Sequence, residues 1–328
     1  MRIIEVIGDC GHVDTIRGIA EQYEITDCWV GKSEEEERCS MRLLVRPEKQ
    51  QTVIDAMQQA LTAVPGWRII IYPVEGVLPR LEEVKSEKKY SGSRSREELY
   101  HEVEAGARLD SNFILLVIFS TIVATIGLIE DNVAVVIGAM VIAPLLGPNI
   151  AFAFGASLGD KVLIAKSLKT NFIGLSLALG LSYLTGLIWA NDMTSHELIT
   201  RTDVTVPAMV LALVAGAAGV LSLTTGISST LVGVMVAVAL LPPTATLGLM
   251  LAHGNHKYAL GAALLLAVNV VSVNLAAKLV LLFKGVKPRS WLEKQKARQS
   301  MFLYIIFWVI SLSILAGSMH IYHNYLQR

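Results

Sequence analysis

Hydrophobic and polar positions change their period near residue 110, and the two parts of the chain predict different elements. In the first part "RIIEVIG" alternates as a strand, and Val13 to Tyr23 places Ile16, Ile19 and Ala20 on one helical face. "EITDCWVG" predicts a second strand and "CSMRLLVR" a third, with the charged "KSEEEE" between them as a solvated hairpin tip. Pro47 opens a helix through Leu61, because proline suits a first helical turn, and "GWRIIIYPV" supplies a fourth strand. The order βαββαβ is that of a small α+β ferredoxin-like domain, here residues 1–80. Residues 81–111 read as a charged linker and surface helix with Leu99, Val103, Gly106 and Ala107 on one face. That face suits either a membrane surface or the head domain.

Beyond residue 111 the pattern becomes long apolar runs, at about 113–129, 133–158, 168–190, 206–223, 228–251, 258–283 and 301–320. Each is long enough, or nearly so, to cross a bilayer as a helix. They predict a polytopic α-helical membrane protein of about seven transmembrane helices: a six-helix core over 112–283, a basic loop at 284–300, and a seventh helix with the C-terminus at 301–328. Loop charge sets the orientation. Lys161, Lys166 and Lys169 follow the second run, and "KGVKPRSWLEKQKARQ" follows the sixth, whereas loop 190–205 has Arg201 against Asp192, Glu197 and Asp203. A multi-pass plasma-membrane protein with its N-terminal domain in the cytosol and its C-terminus outside satisfies all three loops.

Composition agrees with this division. The chain is 53% hydrophobic and 17% charged, below the roughly 25% of a soluble domain. Residues 1–110 carry 15 Lys and Arg against 21 Asp and Glu, so the soluble part is acidic and nucleic acid is not an expected partner. Cys10, Cys28 and Cys39 match no zinc spacing, and "MRIIEVIGDCGH" is too acidic for a secretory signal, so reduced thiols facing the cytosol are expected.

Two apolar segments resemble one another. "GAMVIAPLLGPNI" (138–150) aligns without gaps to "GVMVAVALLPPTA" (233–245), matching Gly138 to Gly233, Met140 to Met235 and Pro148 to Pro243. By the orientation above the two run in opposite senses, which predicts a 3+3 inverted repeat over about 113–190 and 206–283. Inverted repeats with interrupted helices in corresponding places are a recurrent plan of secondary transporters, where opened backbone lines a cavity. Pro144, Gly147, Pro148, Pro242 and Pro243 are therefore candidate helix breaks; a kink that serves packing would explain Pro144 alone, but explains less well two proline-bearing segments related by pseudo-symmetry.

Polar residues among the apolar runs give a candidate solute pathway. Glu130, Asp131 and Asn132 are either an exposed turn or a group whose two carboxylates, Glu130 and Asp131, attract cations or carry protons. Asn149 follows the first break, and Thr224, Thr225, Ser228, Ser229 and Thr230 either cap helix ends or line a route. In the sixth run Asn269 shares a face with Ser272, while Asn274 and Lys278 share nearly the opposite one and Lys278 can snorkel. In the head, the loop Gly8, Asp9, Gly11 and His12 either makes a turn or holds a small anion at a helix start. No catalytic triad, zinc or phosphate-loop pattern appears, so neither enzymatic activity, metal nor cofactor is expected.

"EELYHEVEAGARLDSNF", "GLIEDNVAVVIGAMVIAPLLGP" and "SSTLVGVMVAVALLPPTATLG" resemble the membrane-protein family known as domain of unknown function 389, over about residues 1–283. The resemblance implies an integral membrane protein with a cytosolic head and supplies no substrate or site. The leading expectation is a transporter or channel for an unidentified small solute, tuned by the head. The rival is a membrane-anchored sensor or scaffold for a small regulatory metabolite. Besides the lipid bilayer, a second copy of the chain is a possible partner, since small residues such as "AGAAG" (215–219) permit close helix contacts.

Overall fold

A computed structural model describes residues 1–25, 27–32, 38–78, 95–189, 194–225, 229–284 and 306–319, with the backbone alone for Lys32 and for 229–238. The chain divides into two compact units, Met1–Glu98 and Leu99–Arg328. In the first, β1 (Arg2–Asp9), α1 (Val13–Gln22), β2 (Asp27–Lys32), β3 (Arg38–Val45), α2 (Pro47–Ala60) and β4 (Arg68–Pro73) follow the expected βαββαβ order. The strands form one sheet, β2-β3-β1-β4, with every neighbouring pair antiparallel. Alternation along β1 sends Ile4 and Val6 into a core with Ile16, Ile19 and Ala20 of α1 and Val53, Ile54 and Met57 of α2. Glu5 points to the other face and is nonetheless buried, accepting hydrogen bonds from Ser40 Oγ and, at 2.8 Å, from Arg42 Nε.

The thiol expectation needs correction. Cys10 and Cys39 form a disulfide, leaving Cys28 as the exposed free cysteine among the three. The register pairs Gly8 with Cys39, so Cys10, just past the end of β1, lies 4.9 Å from Cys39 between Cα atoms. That separation fits a bridge, and a sequence separation of 29 positions conceals it in the sequence. Also in this unit, the backbone N–H of Arg96 donates to Gln51 Oε1 at 2.8 Å, and its guanidinium meets Asp55 at 3.0 Å, fixing the start of α3 (Arg96–Gly106) to α2.

The second unit is helical: α4 (Ser111–Ile129), α5 (Val133–Ile142), α6 (Leu146–Leu158), α7 (Lys161–Ile188), α8 (His196–Thr200), α9 (Val206–Thr225), α10 (Ser229–Ala252), α11 (His256–Phe283) and α12 (Ile306–Met319). Among the described residues α4, α7, α9 and α11 are each long and apolar enough to cross a membrane. α5 and α6, bent by 52° at their break, make a fifth if they count as one span. Ala239–Ala252 and α12 are shorter apolar helices. The seven spans expected from the sequence are therefore not reached among the described residues, where four helices, or five spans with the bent pair, are long and apolar enough; the loop 285–300 lies outside the described residues.

Polarity is arranged for an apolar solvent. Large apolar side chains face outward, Phe119, Phe172, Leu187 and Leu211 among them, while Ser120, Thr121, Asn149, Thr170, Ser182, Asn269, Asn274 and Lys278 are buried. In lipid, polar groups are stable only when they find partners inside the protein. Many hydroxyls do so locally: Thr121 Oγ1 donates to Val117 O at 2.6 Å and Ser182 Oγ to Ala178 O at 2.6 Å.

Hydrogen bonds also fix the helix directions. Before α4, Tyr100 donates to Asp160 at 2.7 Å and Lys166 to Glu104 at 3.0 Å, both beside the start of α7. After α4, Ser195 donates to Leu128 O and Glu197 N to Asp131 Oδ1, both beyond the end of α7. α4 and α7 therefore run the same way, with α5–α6 returning between them. The ring of His253, just past α10, contacts Trp189 O, just past α7, so α10 runs parallel to α7 and opposite to α5–α6. The apolar stripe Leu99, Val103 and Ala107 of α3 packs with Ile150, Phe154, Leu163, Leu223 and Leu281, at the end of this unit where α7 begins.

Candidate functional site

The two proline-bearing segments fold differently. At the first, Ala143 takes an extended ψ of 122°, as a residue before proline is pushed to do, and the helix stops until Leu146. Pro144 is half-buried in that break; Gly147 and Pro148 lie in the opening turn of α6. A side chain at Gly147 would collide with Gly106 O, so the break sits directly against the C-terminus of α3. At the second, α10 continues across Pro242 and Pro243. Pro243 has no N–H to offer the carbonyl of Ala239 one turn back. Asn269 of α11 replaces that donor: its Nδ2 donates to Ala239 O at 2.8 Å.

Ala239, Pro243 and Asn269 line one end of a cavity of about 300 Å3. Its walls are the small and aliphatic residues Ala208, Leu211, Ala212, Ala215 and Leu265. Its other end is polar, with His196, Thr200, Arg201, Asp203 and Thr205 from α8 and the segment leading into α9. Ser195 Oγ caps α8 by accepting from Leu198 N at 3.2 Å, and Asp131 Oδ1 accepts from Glu197 N at 2.8 Å. Arg201 is paired with the buried Glu197 at 3.0 Å, which neutralises its charge and leaves Asp203 as the exposed carboxylate there.

A second polar group lies at the other break. Asn149 Nδ2 donates to Leu145 O at 2.9 Å and to Asn171 Oδ1 at 3.1 Å, and Asn274 Nδ2 donates to Asn149 Oδ1 at 3.3 Å. Three helices, α6, α7 and α11, thus meet through a chain of amides.

The other sequence candidates lie apart from both. Glu130 is exposed, Asp131 caps α8, and Asn132 caps α5 by accepting from Val135 N at 3.2 Å. Thr224 and Thr225 bond back to Leu221 O within α9. Ser228 lies outside the described residues, and Ser229 and Thr230 are seen only as α10 backbone. Lys278 does not snorkel: it is 1% exposed, because the end of α11 is packed around by α3, α6 and α9. In the head, Asp9 Oδ1 accepts from Gly11 N at 2.6 Å, so the loop's own carboxylate takes the amide that an anion would use. The cavity there, beside Gly8, Asp9 and His12, is about 10 Å3, room for about one water.

Sequence reading missed Asn171 and the five polar residues of the cavity mouth. Asn171 stands alone in an apolar run, with nothing to show which way it faces. The mouth residues looked like an ordinary loop; the available signal was charge and hydroxyls shortly before the small-residue run 215–219.

A family model described as Domain of unknown function (DUF389) matches residues 140–275, a range holding the prolines of both segments and the three buried asparagines Asn149, Asn269 and Asn274. An uncharacterised protein of Methanocaldococcus jannaschii is 33% identical over 284 residues, covering 87% of this chain and 88% of that protein. No solved structure matches the chain. With that relative matched almost end to end and the family model lying over the helical core, the chain belongs to the domain of unknown function 389 family.

Proposed function

We propose that this chain is an integral membrane protein that passes a small solute, as a transporter or channel, and that its head domain tunes that activity. The observation that carries the reading is the cavity of about 300 Å3 running from a polar mouth to Pro243 and Asn269. A helix that loses a backbone donor inside lipid is stable only where protein or water replaces it, and such places are where transporters bind. The packing supports an inverted repeat as well. α4 with α7 corresponds to α9 with α11, α6 with α7 to α10 with α11, and α7 with α10 to α11 with α6. The bent pair and α10 run in opposite senses, as that symmetry requires, while the unbroken course of α10 departs from it. With the basic loops inside, the head faces the cytosol, the mouth opens outside, and the protein sits in the plasma membrane as a non-enzyme whose partners are lipid, the solute and a possible second copy.

The test is a set of single cysteines at Ala212, Ala215 and Ala239, with Cys10, Cys28 and Cys39 replaced by Ser. Polar, membrane-impermeant thiol reagents should modify all three positions, while a cysteine at the fully buried Ala245 should stay unmodified. Unmodified cysteines at every cavity position would remove the route. The rival reading, a metabolite sensor, is favoured by a groove of about 430 Å3 on the head lined by Arg17, Glu21, Cys28 and Trp29. Nucleotides or amino acids that raise the thermal stability of the full chain only when Trp29 is intact would support it.

A further inference from the structure

We propose that the floor of this cavity binds a monovalent alkali-metal cation, held by Asn269 Oδ1 and the backbone carbonyls that Pro242 and Pro243 release from α10. The proposal rests on the route reading for the cation's way in, and adds the ion to it. Two adjacent prolines remove two adjacent helix donors, to Val238 O and Ala239 O. One of these, Ala239 O, takes the Asn269 amide at 2.8 Å, which leaves a carbonyl lone pair in reserve. Asn269 itself is 5% exposed, lines the cavity, and among the described residues its Oδ1 accepts no hydrogen bond. A buried amide oxygen without a donor is destabilising, and a bound cation would offset that cost.

The ligand chemistry sets the ion's charge. Every oxygen at the floor is neutral, and desolvating a divalent ion against neutral oxygens alone is far costlier than desolvating a monovalent one. Opened helix carbonyls joined by a side-chain amide are a donor set for sodium or potassium. At the mouth, the salt bridge to Glu197 cancels Arg201, and Asp203 remains to draw cations in.

The experiment compares the thermal stability of the purified full-length chain in detergent under chloride salts of sodium, potassium and N-methylglucamine at one ionic strength. One alkali cation should raise Tm saturably by about 3 °C over N-methylglucamine. Pro243→Ala restores the N–H that returns Ala239 O to the helix, so it should fold at least as well and lose the cation response. Asn269→Leu should lose the response too. Equal Tm in the three salts, or an undiminished response in Pro243→Ala, overturns the proposal. Failure is separable from failure of the route: modified cavity cysteines with no cation response leave the route standing, and a response with unmodified cysteines leaves the ion site standing.

Discussion

At Glu5 a single carboxylate holds three strands. Its folded pKa lies below the usual 4.5, first through the hydrogen bond from Ser40, then through Arg42 and Tyr72, against the opposing effect of burial. A depressed carboxylate pKa contributes stability above the unfolded value and loses it as pH falls through the folded one. Amide protection of β1 and β3 in the full chain, read by hydrogen exchange, should therefore drop as pH is lowered below about 4.5. Glu5→Gln should lower that protection at neutral pH by about 1–3 kcal/mol and flatten its dependence on acid. Two glycines give the residue-scale contrast in the membrane unit. A methyl at Gly147 meets Gly106 O, whereas one at Gly138 has nothing within 4 Å. Gly147→Ala should cost about 1–3 kcal/mol through overpacking, and Gly138→Ala should be neutral or stabilising by about 0.5–1 kcal/mol through helix propensity. Thermal unfolding of the two variants side by side checks both signs.

Among elements, the contrast between α5–α6 and α10 shows what a proline does and does not dictate. Pro144 forces Ala143 out of the helical region, and no side chain is needed to explain the 52° bend that follows. Pro242 and Pro243 remove donors just as surely, yet α10 continues because Asn269 of another helix supplies one back. Pro144→Ala should let Ala143 return to the helix. Spin labels at Ala134 and Ser157 should then move apart by about 3 Å, given 1.5 Å of rise per residue on each arm. An unchanged distance would assign the bend to the Gly106–Gly147 contact instead. The stripe Leu99, Val103 and Ala107 was legible as one helical face, but its partner was not. Its docking beside Phe154 and Leu223 depends on where two other helices end.

For the whole molecule, the Cys10–Cys39 bridge meets the proposed orientation directly. Disulfides are rare in the cytosol of most organisms. The structure gives one thiol, so protein denatured without reductant should titrate as one free cysteine, Cys28, and as three after reduction. Three thiols in protein taken from cells would mean that the bridge does not form in the head's compartment. The sense of the helices is the other property at this scale. The alternation of α4, α5–α6 and α7, with α10 parallel to α7, follows from bonds such as Asp131 to Glu197 and His253 to Trp189.

The sequence by itself determined the elements: the alternating strands and striped helices of the head, the apolar runs, and the extended residue before Pro144. These depend on side chains a few positions apart and on covalent restrictions of the backbone, which any stretch carries with it. Only the tertiary structure decided which polar groups meet. Asn149, Asn171 and Asn274 form one chain of amides although Asn149 and Asn274 are 125 residues apart, and Asn269 serves a carbonyl 30 residues before it. An apolar run has no position at which its pattern marks the inward side, because lipid and protein interior are alike in polarity. The facing of each asparagine, and with it the cavity floor, was fixed by helix packing.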